Sequence, residues 1–290
     1  MADENSFPQP EWQNEYLTAY LKVMKLWEVE HQSYEVETSF GTTHMNICGP
    51  EEAPPLILLH AASVGSAEWY ANVASWAKNF RIIALDTIGD CGWSRAIKKM
   101  ENQEDYNQWL IEIMEYFNLD KASFIGHSYG GWLAMNLAIF HPDKVDKLVL
   151  LAPAASIKPF KLLIKLGLKM PRLPFNISAE KVLKMMAAKN FQPEQAYIEL
   201  MDVVNNNCRP EMIFPTVYSD EELQRITCPT LLLLGDQESI YSPLKAARRA
   251  RKFLPNLKSE IILQAGHILN MEQPDKVNYK VLNFLNSNQE

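Results

Sequence analysis

From Pro54-Pro55 onward, short apolar runs alternate with longer stretches of mixed polarity. The runs cover residues 56–59, 81–85, 122–125, 147–151, 231–234 and 260–263. They are short and most are rich in Leu, Ile and Val, which predicts strands covered on both faces. Helical candidates lie between them, around residues 67–76, 104–117, 131–140, 243–253 and 275–284. Strands and helices in alternation predict an α/β fold with a mostly parallel central sheet and helices on both faces.

Two regions depart from this pattern. Near the start, Trp12, Tyr16, Leu17, Tyr20, Leu21, Met24 and Leu26 recur at steps of three and four, which predicts an amphipathic helix over residues 11–27. Residues 34–40 and 44–48 then flank Gly41 and predict a hairpin. Later, the alternation stops between Ser156 and Tyr218, where helix-like patches and prolines surround Met170, Met185, Met186, Met201 and Met212. This stretch holds nine basic and five acidic residues, a balance of +4, which leaves −11 on the rest of a chain whose net charge is −7. The composition shift predicts a helical cap inserted into the core. The expected division is a core of residues 1–155 and 219–290, with residues 1–30 as an N-terminal helical extension, and a cap of residues 156–218. Methionine adapts to varied apolar shapes, so a few of the cap methionines are expected to face substrate and the rest to pack.

Composition narrows the function classes. Apolar residues make up 47% and charged residues 22% of the 290, an ordinary globular balance that excludes a disordered or coiled-coil chain. An acidic chain has no general attraction for nucleic acid, whose binding rests on neutralising phosphates. No apolar run approaches the ~20 residues of a membrane span, and the acidic N-terminus does not resemble a signal peptide. Cys48, Cys91, Cys208 and Cys228 stand far apart, without a CxxC pair or zinc-ligand spacing. Reduced thiols and a cytoplasmic location are therefore expected, with no metal or organic cofactor.

The chemistry gathers after the strands. Gly126-His127-Ser128-Tyr129-Gly130 fits G-x-S-x-G, with an apolar run before it and a helical stretch after it. Small residues beside the serine allow a tight turn that exposes its hydroxyl, and the following helix aims its first amides at the same point. A serine nucleophile needs a base. Of the six histidines, His267 follows the last strand, in Gln264-Ala265-Gly266-His267. His31 and His44 precede the alternation, and His127 is expected to point away from its neighbour Ser128. His141 suits a helix end, and His60 suits bracing of its loop. The base in turn needs an acid to hold its tautomer, and Asp236 and Glu238 both follow the strand that ends at Gly235. The chain order is serine, acid, histidine. The oxyanion donors are expected to be the backbone N–H of Tyr129 and an amide of the His60-Ala61-Ala62-Ser63 loop.

At this point the chain resembles the α/β-hydrolases over residues 40–285. Their His-Gly-x loop corresponds to His60-Ala61-Ala62, which implies Ala62 as the second oxyanion donor, with Ala61 standing where glycine is usual. Their Asp-x-x-Gly-x-Gly-x-Ser loop corresponds to Asp86-Thr-Ile-Gly89-Asp90-Cys91-Gly92-Trp93-Ser94, with one extra residue between the glycines, and implies a structural Asp86. The acid position, third after the strand-ending glycine, implies Glu238 ahead of Asp236, although aspartate is commoner there. Within the family, Gly49-Pro-Glu-Glu-Ala-Pro-Pro-Leu, Asp86-Thr-Ile-Gly-Asp, Leu231-Leu-Leu-Leu-Gly, Ala265-Gly-His267 and Met271-Glu-Gln-Pro274 are similar to the bacterial carboxylesterase NP group. This similarity implies a cytoplasmic serine esterase acting on a small carboxylic ester with an apolar acyl or aryl part. The same residues also serve thioester, lactone and C–C hydrolases, and a ligand receptor with a vestigial triad shares the fold. A peptidase is disfavoured because nothing marks a site for a substrate amino terminus.

Overall fold

The computed structural model describes residues 12–161 and 178–287. Among the described residues, nine strands form one sheet: β1 (His31–Thr38), β2 (Gly41–Cys48), β3 (Pro55–Leu59), β4 (Arg81–Leu85), β5 (Arg95–Ala96), β6 (Ala122–His127), β7 (Val145–Leu151), β8 (Thr230–Gly235) and β9 (Leu257–Ile262). Their order is β1-β2-β4-β3-β6-β7-β8-β9, with the short β5 paired to β2. The hairpin β1–β2 joins antiparallel to β4, and every pairing from β4 through β9 is parallel. The predicted α/β architecture is therefore present, and the hairpin forms where Gly41 suggested.

The central strands are apolar because both faces are covered. Leu56 to Leu59, Ile82 to Leu85 and Leu231 to Leu234 are all buried. Burial of each such side chain contributes about 1.5–3 kcal/mol. The edge strands read differently. β1 is mostly exposed, and β9 carries Lys258, Ser259 and Glu260, charges that discourage pairing with another chain.

The flanking helices are α1 (Trp12–Met24), α2 (Val73–Trp76), α3 (Gln103–Tyr116), α4 (Tyr129–Phe140), α5 (Ala179–Met186), α6 (Gln195–Asn207), α7 (Asp220–Gln224), α8 (Pro243–Phe253), α9 (Leu269–Glu272) and α10 (Pro274–Asn286). Helix α4 is buried on all sides up to Ile139, and its one amide side chain, Asn136, donates to Gln103 O and Asn107 Oδ1. Helix α3 begins at a reciprocal capping box between Asn102 and Asp105. The helix expected over 67–76 is instead a 3₁₀ turn, Ser66–Ala71, followed by the short α2. The break falls at Asn72, whose side-chain amide bonds Asn270 O and Asn278 Oδ1. Those long-range bonds hold Asn72 outside helical geometry, at φ −124° and ψ −41°.

Between β7 and β8 the chain leaves the sheet and forms α5 and α6. Helix α1 packs beside α6, where Lys22 pairs with Glu199 at 2.6 Å. The return segment lies on the core: Glu211 N donates to Gly89 O, Tyr129 Oη to Ile213 O and Trp132 Nε1 to Thr216 O. Met201 is buried, Met185 is exposed, and Met170 lies outside the described residues.

One expectation is corrected here. Cys91 and Cys208 form a disulfide across 117 residues of sequence, with Cα atoms 6.0 Å apart, whereas the spacing suggested reduced thiols. The bond is long-range: the fold places the loop after β4 against the segment after α6. Cys48 and Cys228 are free and buried.

Candidate active site

Sheet register places the candidate residues. Leu59 pairs with Gly126, so β3 and β6 end at the same level, and the 60–63 loop faces the turn at Ser128. Leu151 pairs with Leu233 and Gly235 with Ile262, which carries that level across to the turns holding Glu238 and His267. Loops beyond the C-terminal strand ends of a parallel sheet are where such a fold assembles a site.

The turn into α4 is tight. Ser128 adopts φ 48° and ψ −110°, a sparsely populated conformation for a non-glycine residue. A Cβ at Gly130 would strike the Leu59 and His60 carbonyls, and one at Gly126 would strike Gly130. The absence of side chains there lets α4 pack end-on against the 60–63 loop, and Gly130 N donates to His60 O at 3.0 Å.

His267 Nε2 lies 2.8 Å from Ser128 Oγ, and His267 Nδ1 lies 2.7 Å from Glu238 Oε2. Both partners of the imidazole are buried, and the ring itself has no exposed surface. Burial would raise the Glu238 carboxyl, but the His267 charge and hydrogen bond, with the Ile240 N–H at 2.7 Å, hold it below the ordinary carboxylate range. Glu238 therefore stays a carboxylate that accepts Nδ1–H and aims Nε2 at Ser128 Oγ. The imidazole links serine to acid over 139 and 29 residues of sequence respectively.

Asp236, the second candidate acid, is exposed, and its Oδ1 accepts the Ala265 N–H at 3.2 Å. With Gln237 N donating to Ala265 O, it braces the acid turn against the histidine turn. His44 bonds Asp86, which also accepts Ser66 N, Ser66 Oγ and Trp93 N; this buried carboxylate ties the loop after β4 together. His60 Nε2 accepts Thr87 N, which leaves Nδ1 to donate to Ala61 O at 2.6 Å. His60 thus braces its loop, as the residue pattern suggested. His141 ends α4 and contacts Glu104.

Ala62 is exposed at the site, and Tyr129 supplies the first amide of α4. Alanine fits at 61 because the loop's left-handed residue is Ser63, at φ 69°, and not Ala61. His127 turns away from the serine, as expected, but it does not idle. It bonds the buried Glu68, a residue the periodicity reading passed over. The available signal was an acid inside the otherwise apolar Ala67-Glu68-Trp69 stretch. Among the described residues, no group of three or more His, Cys, Asp or Glu side chains is arranged to hold a metal ion.

The family model for the alpha/beta hydrolase fold matches residues 54–176. A carboxylesterase of Bacillus subtilis (strain 168), carrying the name uncharacterized carboxylesterase nap, is 36% identical over 280 residues, which is 94% of this chain and 92% of that protein. The chain belongs to the α/β-hydrolase family. Within that family, carboxylesterase YbfK of the same bacterium is 33% identical over 93% of each chain. The crystal structure of naproxen esterase (carboxylesterase NP) from Bacillus subtilis superposes with a TM-score of 0.89 at 34% identity, covering 97% of this chain and 100% of that one. Among the described residues of this α/β-hydrolase, no helix is long and apolar enough to cross a membrane.

Proposed function

We propose that this protein hydrolyses carboxylic esters through an acyl-enzyme on Ser128. The observation that carries the reading is the unbroken run from Ser128 Oγ through the His267 ring to Glu238 Oε2, buried at the strand ends. Whole-length similarity to carboxylesterases supports the substrate class.

In the first half-reaction, Ser128 Oγ attacks the ester carbonyl carbon while its proton passes to His267 Nε2. The carbonyl oxygen becomes an oxyanion held by the N–H groups of Tyr129 and Ala62. Collapse breaks the bond to the alcohol oxygen, which leaves with the proton from His267. Water then repeats the sequence on the acyl-enzyme: His267 takes a proton from water, and the carboxylic acid departs as Ser128 recovers its own. Throughout, the Glu238 carboxylate stabilises the imidazolium.

An apolar cleft of about 250 Å³ begins at Ala155 and runs along Phe160, Phe214 and Val217. Its neighbour Ala154 bonds the Ser128 carbonyl at 2.8 Å. The proposed ester has an apolar acyl or aryl part, and this cleft, whose lining does not include Ser128, His267 or Glu238, is a candidate place for it. Of the proposed cap, residues 156–218, Pro159, Phe160 and residues 214–217 line this cleft.

A panel of esters differing in acyl length and aryl group tests the reading, run on wild type and Ser128→Ala together. Turnover of p-nitrophenyl butyrate, with a fluorophosphonate adduct on Ser128, is the expected result. Undiminished hydrolysis by Ser128→Ala would overturn it.

A further inference from the structure

A second histidine–carboxylate pair lies directly behind the first. Glu68 and His127 are fully buried, and neither touches the proposed reacting atoms. Glu68 Oε1 meets His127 Nδ1 and accepts Asn270 Nδ2 at 3.2 Å, while Oε2 accepts the Ala61 N–H at 2.6 Å. On its other side, His127 Nε2 lies 2.9 Å from the carbonyl oxygen of His267. The two imidazole rings are 5.4 Å apart, centre to centre.

One carboxylate therefore spans three separate chain segments. It holds Ala61, beside the proposed oxyanion donor Ala62. It holds His127, beside the proposed nucleophile Ser128. Through His127 it reaches the backbone of His267, and through Asn270 the turn that follows. We propose that Glu68 is a positioning residue for the acyl-transfer reaction, holding the 60–63 loop and the His267 backbone in register with Ser128. This rests on the triad reading above.

Proton accounting defines what the pair does. A carbonyl only accepts, so His127 Nε2 must carry hydrogen and donate to His267 O. One further proton is shared between His127 Nδ1 and Glu68. Burial would raise the Glu68 carboxyl, but the His127 charge and hydrogen bond keep it below the ordinary range. Burial would lower His127, and Glu68 raises it above its ordinary value. The pair is thus an imidazolium against a carboxylate, without net charge. It braces the site without a net charge that would oppose the imidazolium forming on His267.

Removing a buried carboxylate strands its partners, so Glu68→Ala leaves His127 Nδ1 and the Ala61 N–H without that acceptor. Glu68→Gln preserves both contacts: the amide oxygen accepts from Ala61, and the amide nitrogen donates to a neutral His127 that still donates from Nε2. Asn270 accommodates this by turning its own amide, whose oxygen has no partner among the described residues. A positional defect of about 1 Å lowers turnover by about 100-fold.

The experiment measures kcat and KM for p-nitrophenyl butyrate, with melting temperatures, in wild type, Glu68→Ala, Glu68→Gln and Ser128→Ala. The expected result is a 10- to 100-fold loss of kcat in Glu68→Ala with KM within about threefold, and rescue to within about threefold by Glu68→Gln. A residue that merely stabilises the fold would lower the melting temperature without that split or rescue. Wild-type kcat in folded Glu68→Ala overturns the proposal. Should Glu68→Ala fail to fold, His127→Asn decides: it keeps a partner for Glu68 but cannot reach the His267 carbonyl. A loss of about 10-fold or more in kcat supports the proposal, and wild-type kcat overturns it. Undiminished turnover in Ser128→Ala refutes the proposed nucleophile itself, which separates that failure from one of Glu68 alone.

Discussion

Two buried histidine–carboxylate pairs stand side by side in this α/β-hydrolase. In one, Glu238 orients His267, whose outer nitrogen meets the Ser128 hydroxyl. In the other, Glu68 orients His127, whose outer nitrogen meets a peptide carbonyl. Residue types and burial are alike, and in both the carboxylate sits on Nδ1. The partner of Nε2 separates them. A hydroxyl gives up a proton to an unprotonated nitrogen, so the first pair suits the general-base role proposed for it. A carbonyl has no proton to give, so the second pair is committed to donating and serves as a brace. Burial alone marks a functional site only in probability, and here it marks both pairs equally well.

The comparison can be broken most sharply at the serine. Ser128→Ala should lower kcat by about 10⁶-fold, the scale seen when a comparable enzyme loses its nucleophile. Undiminished kcat would remove the ground for calling the first pair catalytic. Next comes its acid. Glu238→Gln should lower kcat by about 10⁴-fold with the fold intact, because the amide no longer fixes the productive tautomer of His267. Steady-state kinetics with melting curves checks both, and a loss below tenfold for Glu238→Gln would make the two pairs equivalent.

The third prediction concerns stability and uses the titration of the second pair. Glu68 titrates below its unfolded value, so its contribution is present above about pH 4.3 and is lost as pH falls through the folded value. His127 titrates above its unfolded value, so its contribution is full below about pH 6.5 and fades as pH rises through the folded value. The melting-temperature gap between wild type and Glu68→Gln should then be widest between about pH 4.5 and 6.5, a few degrees in size. Calorimetry showing a gap that grows toward pH 9 would contradict the ion pair. The smallest effect belongs to Asp236. It is exposed and its carboxylate accepts one backbone N–H, so Asp236→Asn should leave kcat within about twofold, as surface changes usually cost under ~0.5 kcal/mol. A large loss there would move the acid role away from Glu238.

Much of the fold was readable from local pattern. The predicted strand over 81–85 is β4 to the residue, and the predicted helix over 243–253 is α8. Strand β9 begins three residues before its prediction, because Lys258 and Ser259 on an edge strand carry no apolar signature. The 67–76 helix failed at Asn72, whose partners Asn270 and Asn278 lie about 200 residues away in the chain. The Ser128, His267 and Glu238 cluster was anticipated from glycine-marked strand ends and from family resemblance.

The sequence by itself determined what periodicity and backbone sterics can encode. Those are the alternating strands and helices, the serine on a turn that tolerates no side chain at Gly126 and Gly130, and an acid and a histidine after the strands expected to lie nearby. The tertiary structure alone decided matters that depend on approach across the chain. It brought Glu238 and not Asp236 to His267, turned His127 toward Glu68, and joined Cys91 to Cys208. The physical reason is range. A strand or a turn is specified by neighbours a few residues apart, whereas a buried acid finds its partner only when sheet register brings distant loops to one level.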